Sequence, residues 1–376
     1  MKKILIAVFG GLEESPRAER LLEVMVNHAE VSVLATSLKH HINGKFFNLY
    51  PLNKTLPQKL IRASKLFLGA HESYLKSLYS YDERLEIERF DAVICEDLLL
   101  LPRLLETDIT DRFIQDLREF YPKEFEHNWI WRKTFGNLMS YICHAHLAKA
   151  DHCWTVSPGL KEAYMEKFGV KCELYPSYPK KLCDSEPPIK TGTHFKLVHH
   201  GVTNPNRNLE IMIEAAASLP QLVTLDLILV NNNPQYYKKL KLLANGLENV
   251  RILPPVRRDQ LTQELRGYDI GLFCPNPTTF NLEHSWPNKI FEFIQAGLML
   301  LTTPLAGTSI IIRKYKNGMV TQNFGTETLI EALESLSPEK VDNYKNSSMM
   351  ASNECNFEAI EQNLVNSILG NRDTNH

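Results

Sequence analysis

Residues 195–219 read "FKLVHHGVTNPNRNLEIMIEAAASL". An apolar run ends at His200 and Gly201, a polar loop follows, and Arg207 stands just before an apolar stretch of helical character. A strand that hands over to a helix through a short polar loop is one βα unit. The alternation continues downstream, where "LDLILVNNN", "NVRILPP", "DIGLFCP" and "LMLLTTP" are strand-like and segments such as "RDQLTQELRGY" are helical. It also fills the first half, where "KKILIAVF", "VSVLATS", "DAVICED", "CWTVSP" and "KCELYPS" read as strands. Strands alternating with helices imply parallel sheets joined by right-handed crossovers.

The two runs of βα units are separated by "CDSEPPIKTGTH", whose prolines, glycine and mixed charge mark a linker. The expected fold class is therefore α/β: two Rossmann-like, doubly wound domains facing an interdomain cleft, with ligands beyond the carboxyl ends of the strands. The expected boundaries are 1–182 for the first domain, 183–194 for the linker and 195–350 for the second domain. Residues 351–376 then form a C-terminal helix and polar tail that packs back on the first domain. A chain of 376 residues suits two cores.

Composition narrows the function. The chain is 44% hydrophobic and 23% charged, with 42 basic against 44 acidic residues, which gives no global case for nucleic-acid binding. Two N-terminal lysines and a short apolar run resemble a signal peptide, but a charged helical pattern follows at once, so a first strand and a cytoplasmic protein are expected. No uncharged window approaches the roughly 18 residues that span a bilayer. Seven cysteines without a C-x-x-C pair argue for reduced thiols. Cys143, His144 and His146 sit together in "CHAH", yet no distant ligand of matching spacing accompanies them, and no metal site is expected there.

The sequence contains no G-x-G-x-x-G after the first strand, no G-x-x-x-x-G-K-[ST], no G-x-S-x-G and no D-x-D. A diphosphate bound here would have to be neutralised by cationic side chains and helix N-termini. Two places offer them. One is the opening loop, where Gly201 lets the backbone turn closely and Arg207 stands at the strand's end. The other is "SWPNKIFEFIQAG" at 285–297, which reads as a helix with Ser285 as N-cap, Pro287 in its first turn and Gly297 just past its end. On a helical wheel Ile290, Phe293, Ile294 and Gly297 form an apolar stripe, and Asn288, Glu292 and Gln295 lie opposite. Lys289 stands at the helix start, and Glu292, one turn on, suits hydrogen bonds from sugar hydroxyls.

Several segments, in collinear order, resemble those of glycosyltransferase family 4, enzymes of the GT-B fold. "PNKIFEFIQAG" resembles P-N-K-x-F-E-x-x-x-x-G, "DHCWTVSPGL" resembles A-D-x-x-x-T-V-S-x-G-L, and "LVHHGVTNPNRNLE" resembles h-G-x-x-x-x-x-R-G-L-E. "LILVNNN" takes the place of L-x-L-V-G-x-G, and "DIGLFCPNP" that of A-D-I-G-L-x-P. "FDAVICEDLLLLP" resembles Y-D-x-I-x-x-H-D-x-x-x-L-P, and "IQDLREFYPKEFE" resembles V-Y-D-x-H-E-x-x-P-E.

The resemblance implies a retaining, metal-independent hexosyltransferase with no cofactor, moving a sugar from a nucleotide-sugar donor to a saccharide or lipid-linked acceptor in bacterial surface polysaccharide or glycolipid synthesis. It implies catalytic roles for Arg207 and Lys289 on the leaving diphosphate and for Arg118 and Glu119 in the first domain. Gly201, Asn288, Glu292, His284, Gly307 and Thr308 fall on the donor side, with Glu292 on the ribose. Gly10, Gly11 and Arg17, after the first strand, fall on the acceptor side. Three departures stand out. The family's E-x7-E pair has His284 in its first position, with Glu283 one step out of register. Val202 follows Gly201 where many members carry a basic residue. Arg118-Glu119 replaces H-E, so the first member of that pair is a cation and not a base. A non-catalytic relative and a sugar-nucleotide epimerase or hydrolase on the same scaffold remain open on sequence alone.

Residues 39–76 carry Lys39, Lys45, Lys54, Lys59, Arg62, Lys65 and Lys76 against one acid, Glu72. In "LPQKLIRASKLFLGAHESYLKSL" apolar residues at helical spacing alternate with those cations, the pattern of an interfacial helix on an anionic membrane surface. An anionic acceptor in solution fits the same charges.

Overall fold

A computed structural model describes residues 1–52, 55–182 and 190–370. Lys54, Cys183, most of the expected linker and the polar tail lie outside these residues. The chain divides into two compact units: Met1–Pro176 with Thr279–Asn281 and Ile360–His376, and Ser177–Thr278 with Leu282–Ala359. The second unit begins at Ser177, ahead of the expected linker. The backbone there is tied down, with Phe357 N donating to Pro179 O at 2.8 Å and Leu182 N to Gln295 Oε1 at 3.2 Å.

The first unit holds an eight-stranded sheet: β1 (Lys3–Ala7), β2 (Glu30–Ala35), β3 (Phe46–Pro51), β4 (Tyr79–Tyr81), β5 (Ala92–Cys95), β6 (Phe113–Leu117), β7 (His152–Thr155) and β8 (Cys172–Leu174). Its order is β4-β3-β2-β1-β5-β6-β7-β8, and every pairing is parallel except that of β4 with β3. The N-terminal apolar run is the buried strand β1, as its pattern predicts. β3, β4 and β6 are additions to the strands legible in the sequence.

The second unit holds β9 (Phe195–Val202), β10 (Val223–Val230), β11 (Val250–Leu253), β12 (Ile270–Phe273), β13 (Met299–Thr302) and β14 (Gly318–Val320). These six are all parallel, in the order β11-β10-β9-β12-β13-β14. The order reverses between β9 and β12, so the crevice of this unit opens at their carboxyl ends.

Helix Asn288–Gln295 lies directly on this sheet. Ile290, Phe291, Phe293 and Ile294 are buried, and Phe293 packs over Gly271 of β12, where a Cβ would sit 2.5 Å from its ring. The helix starts at Asn288 with Pro287 as its N-cap, later than the Ser285 start predicted from sequence. It ends in a Schellman motif: Gly297 takes φ 74°, Gly297 N donates to Ile294 O and Leu298 N to Phe293 O, both at 3.0 Å. Gln295 differs from the expectation of a polar outer face. It is buried, its Nε2 donates to Ser352 O at 2.6 Å and Cys355 O at 3.2 Å, and its Oε1 accepts from Leu182 N, so this side chain ties the helix to its own domain.

Candidate functional site

The two cations predicted for the second unit converge. Arg207 ends the short turn Pro205–Arg207 that follows β9, and its guanidinium carbon stands 5.6 Å from the Phe273 ring centroid. Lys289, in the first turn of helix Asn288–Gln295, places its Nζ 5.3 Å from the same ring. Phe273 is the last residue of β12, so both cations flank the point where the strand order reverses. The loop that carries Arg207 is braced by Thr203, whose hydroxyl donates to Asn232 Oδ1 at 2.9 Å and accepts from Asn233 N at 3.1 Å. The asparagines of "LVNNN" thus fasten the β10 loop to the β9 loop.

Lys289 is half-buried, and its Nζ donates to His200 O at 2.8 Å and to His199 Nε2 at 3.3 Å. A Cβ on Gly201, whose φ is 134°, would lie 3.1 Å from that nitrogen. Burial, and then the nearby Arg207, push the Lys289 ammonium well below its usual pKa, with Glu292 opposing them. An anion arriving between the two cations would therefore meet groups that gain by its charge.

Glu292 lies one turn along the same helix face, its side chain 21% exposed, with Oε2 3.2 Å from His200 Nε2. Burial, then Lys289, lower the His200 pKa to about 3, so this imidazole is neutral at physiological pH and the contact is not an ion pair. His199 is fully buried, and burial, followed by Lys289, likewise keeps it neutral. In the sequence both histidines look like ordinary strand residues, and neither stands out as a site residue. The only signal was two polar residues in succession at a strand end.

The segment before the helix takes an unexpected course. Glu283 Oε1 accepts from Ala306 N at 3.0 Å and caps helix Ala306–Tyr315, so this acid does not stand in for the one that His284 replaces. Gly307 is buried because the backbone of His284 and Ser285 occupies the space a Cβ would need, and its carbonyl accepts from Trp286 Nε1 at 3.0 Å. Thr308 is buried beside it, with Oγ1 3.4 Å from Leu305 O. Gly307 and Thr308 thus serve packing of residues 284–286, and the half-exposed His284 turns its carbonyl toward them. Asn288 is exposed at the helix start.

In the first unit the predicted residues fall into a charged cluster at the ends of β1, β5 and β6. Arg17 is buried rather than open to an acceptor: its Nε pairs with Asp116, its Nη2 donates to Asp116 Oδ1 at 3.0 Å, and it stacks on Tyr175 at 3.6 Å. Glu96, absent from the predicted set, is fully buried, accepts from Ser15 Oγ at 2.7 Å and leaves Oε1 without a partner. Burial, reinforced by Asp116, pushes its pKa up to about 7. Arg118 donates to Asp97 Oδ1 at 3.1 Å. Burial opposes its charge, but Tyr121, Asp97 and Glu96 outweigh that and keep it protonated. Glu119 is exposed and accepts from Asn281 Nδ2 at 3.3 Å. Gly10 and Gly11 close the turn after β1, where a Cβ on Gly11 would lie 2.5 Å from Ser37 Oγ. The "CHAH" residues form no cluster of metal ligands among the described residues.

Residues 194–338, which span all six strands of the second unit, match a family model described as "Glycosyl transferases group 1". No curated protein sequence matches the chain. Solved structures resemble it over almost its whole length. One is WaaG, a glycosyltransferase involved in lipopolysaccharide biosynthesis, at 14% identity and TM-score 0.65, covering 98% of this chain and 100% of that one. Sucrose-phosphate synthase from Thermosynechococcus elongatus gives 12% identity and TM-score 0.68, with 97% of each chain covered. Anabaena HepE in complex with UDP-glucose gives 16% identity and TM-score 0.68, with 98% of this chain and 100% of that one covered. At these identities the likeness is one of fold, and the fold is GT-B. The domain match makes residues 194–338 a group 1 glycosyltransferase domain.

Proposed function

We propose that this protein is a glycosyltransferase that takes a nucleoside diphosphate sugar on its C-terminal unit and transfers a hexosyl group to a saccharide or lipid-linked acceptor held by its N-terminal unit. The observation that carries the reading is the convergence of Arg207 and Lys289 over Phe273 at the strand-order reversal, with Glu292 one helical turn away. That is the arrangement a diphosphate and an adjoining ribose require: two cations for the phosphates and a carboxylate for the hydroxyls. HepE, of the same fold, has been solved with UDP-glucose. The sequence lacks a D-x-D motif, and in this reading protein cations neutralise the leaving group without a metal.

In the proposed reaction the bond between the anomeric carbon and the diphosphate oxygen breaks while the acceptor oxygen bonds to the same face of that carbon. The acceptor proton passes to the departing phosphate oxygen, and bonding on the same face retains the anomeric configuration. Arg207 and Lys289 stabilise the negative charge that grows on the diphosphate, and the protein acts through position and electrostatics. The exposed Leu56, Leu60 and Phe67, one stripe of helix Leu56–Phe67 beside Lys59, Arg62 and Lys65, support docking on an anionic membrane that presents a lipid-linked acceptor, in bacterial surface polysaccharide or glycolipid synthesis. No helix among the described residues is long and apolar enough to cross a membrane.

Thermal unfolding with UDP-, GDP-, ADP-, CMP- and dTDP-sugars tests the donor reading, because a bound donor raises stability by mass action. One nucleotide class is expected to raise the midpoint. Stabilisation by none would overturn the proposal.

A further inference from the structure

We propose that His199 is a positioning residue that aims the ammonium of Lys289 at the donor diphosphate. The inference rests on the donor-site reading, and its geometry is independent of any ligand. His199 is fully buried on β9, with Nδ1 2.9 Å from Leu272 O of β12. A carbonyl only accepts, so Nδ1 carries the proton and Nε2 of the neutral ring presents a lone pair. Lys289 Nζ, 3.3 Å away, is therefore the donor to Nε2. The hydrogen bonds run in one direction, from Lys289 through the imidazole to the backbone of β12.

Lys289 has three N–H groups. His199 Nε2 and His200 O accept two of them, which leaves one for an anion. An unrestrained lysine is a flexible point charge, and holding it through two acceptors removes rotamer freedom before the ligand arrives. Gly201 gives the arrangement room: a Cβ there would lie 3.1 Å from Nζ and crowd it. A histidine that merely filled the core would be replaceable by an aromatic ring of the same size. A positioning histidine is replaceable only by a residue that keeps the acceptor.

The test compares the wild-type chain with His199→Phe, which keeps ring volume, and His199→Gln, whose amide oxygen reaches the place of Nε2. Two readouts are taken on the full-length protein. The first is the rate at which fluorodinitrobenzene modifies Lys289 at alkaline pH, followed by peptide mass spectrometry without ligand. His199→Phe is expected to raise it by about fivefold or more, the scale of one lost hydrogen bond, while His199→Gln stays within about twofold of wild type. The second is the Kd for the nucleoside diphosphate of whichever class stabilises the wild-type chain, expected to rise about tenfold in His199→Phe and to recover in His199→Gln. Equal modification rates in all three proteins, or a Kd unchanged in His199→Phe, overturn the positioning role. If no nucleotide binds the wild-type chain, the donor reading fails, and the modification rates alone decide whether His199 holds Lys289.

Discussion

Lys289 Nζ occupies the space beside Gly201, 2.8 Å from the carbonyl of His200 and 3.1 Å from where a Gly201 side chain would begin. The strand end and the helix start thus pack closely, and a Cβ on Gly201 would crowd the lysine ammonium. The Gly201 φ of 134° adds a conformation that other residues adopt only under strain. Gly201→Ala is expected to cost about 1–3 kcal/mol in stability. By pushing Nζ out of line, it should also weaken nucleotide binding beyond what the stability loss explains. Chemical denaturation alongside titration calorimetry separates the two effects.

Replacing the cation itself should move stability and function in opposite directions. Burial and Arg207 disfavour the Lys289 charge in the free protein, so Lys289→Met is expected to leave the unfolding midpoint unchanged or slightly raised. The same substitution should lower transfer activity about a hundredfold or more, on the scale of losing one charge-stabilising donor. Calorimetric melting and an initial-rate assay check the pair of outcomes.

The buried Glu96 gives a pH prediction. Its pKa is about 7 in the folded chain against the ordinary 4.5, so the folded state holds a proton the unfolded state has lost between those values. Its contribution is fully favourable below about pH 4.5 and is lost as pH rises through about 7, by an amount on the order of 3 kcal/mol. Glu96→Gln removes that dependence and should stabilise the protein most above neutral pH. Urea denaturation across this range reads it, and parallel stability profiles for the two proteins would count against the assignment. His200, lowered to about 3 from 6.5, acts on the acid side, where stability falls as pH drops below 6.5 and the unfolded chain takes up a proton.

Much of the fold was legible because its strands are apolar runs between turn signals. β1, β9, β10 and β12 announce themselves in this way. β6 does not. Its sequence FIQDL places Gln115 and Asp116 fully inside, and periodicity cannot foresee that Gln115 Nε2 donates to Cys95 O at 3.0 Å or that Arg17 neutralises Asp116. The same pairing explains why Arg17, expected on the acceptor side, is buried in the structure. On helix Asn288–Gln295 the wheel separates Asn288 and Glu292 from the apolar stripe, but it also places Gln295 outside. Only the chain near Leu182 and Ser352, remote in sequence, shows that this amide faces inward. His199 was invisible for a similar reason, since its partners lie on β12 and on the helix.

The membrane reading predicts that the helix Leu56–Phe67 carries the affinity. Leu60→Ser with Phe67→Ser should reduce flotation with anionic liposomes about tenfold or more, since each removes about 1.5–3 kcal/mol of apolar transfer. Both residues are well exposed, so folding should be untouched. Flotation that persists in the double variant, or that never occurs in the wild type at low salt, would count against this surface.

The central claim is that Arg207 and Lys289 hold a donor diphosphate beside Glu292, and titration calorimetry of the stabilising nucleoside diphosphate measures it most directly. Wild type is expected to bind, with Lys289→Met and Arg207→Met each weakening the affinity by about tenfold or more, as loss of a charge-assisted contact does. Glu292→Ala should weaken the nucleoside diphosphate while leaving inorganic pyrophosphate unaffected, because only the former carries a ribose. Unchanged affinity in both cation variants would contradict the account.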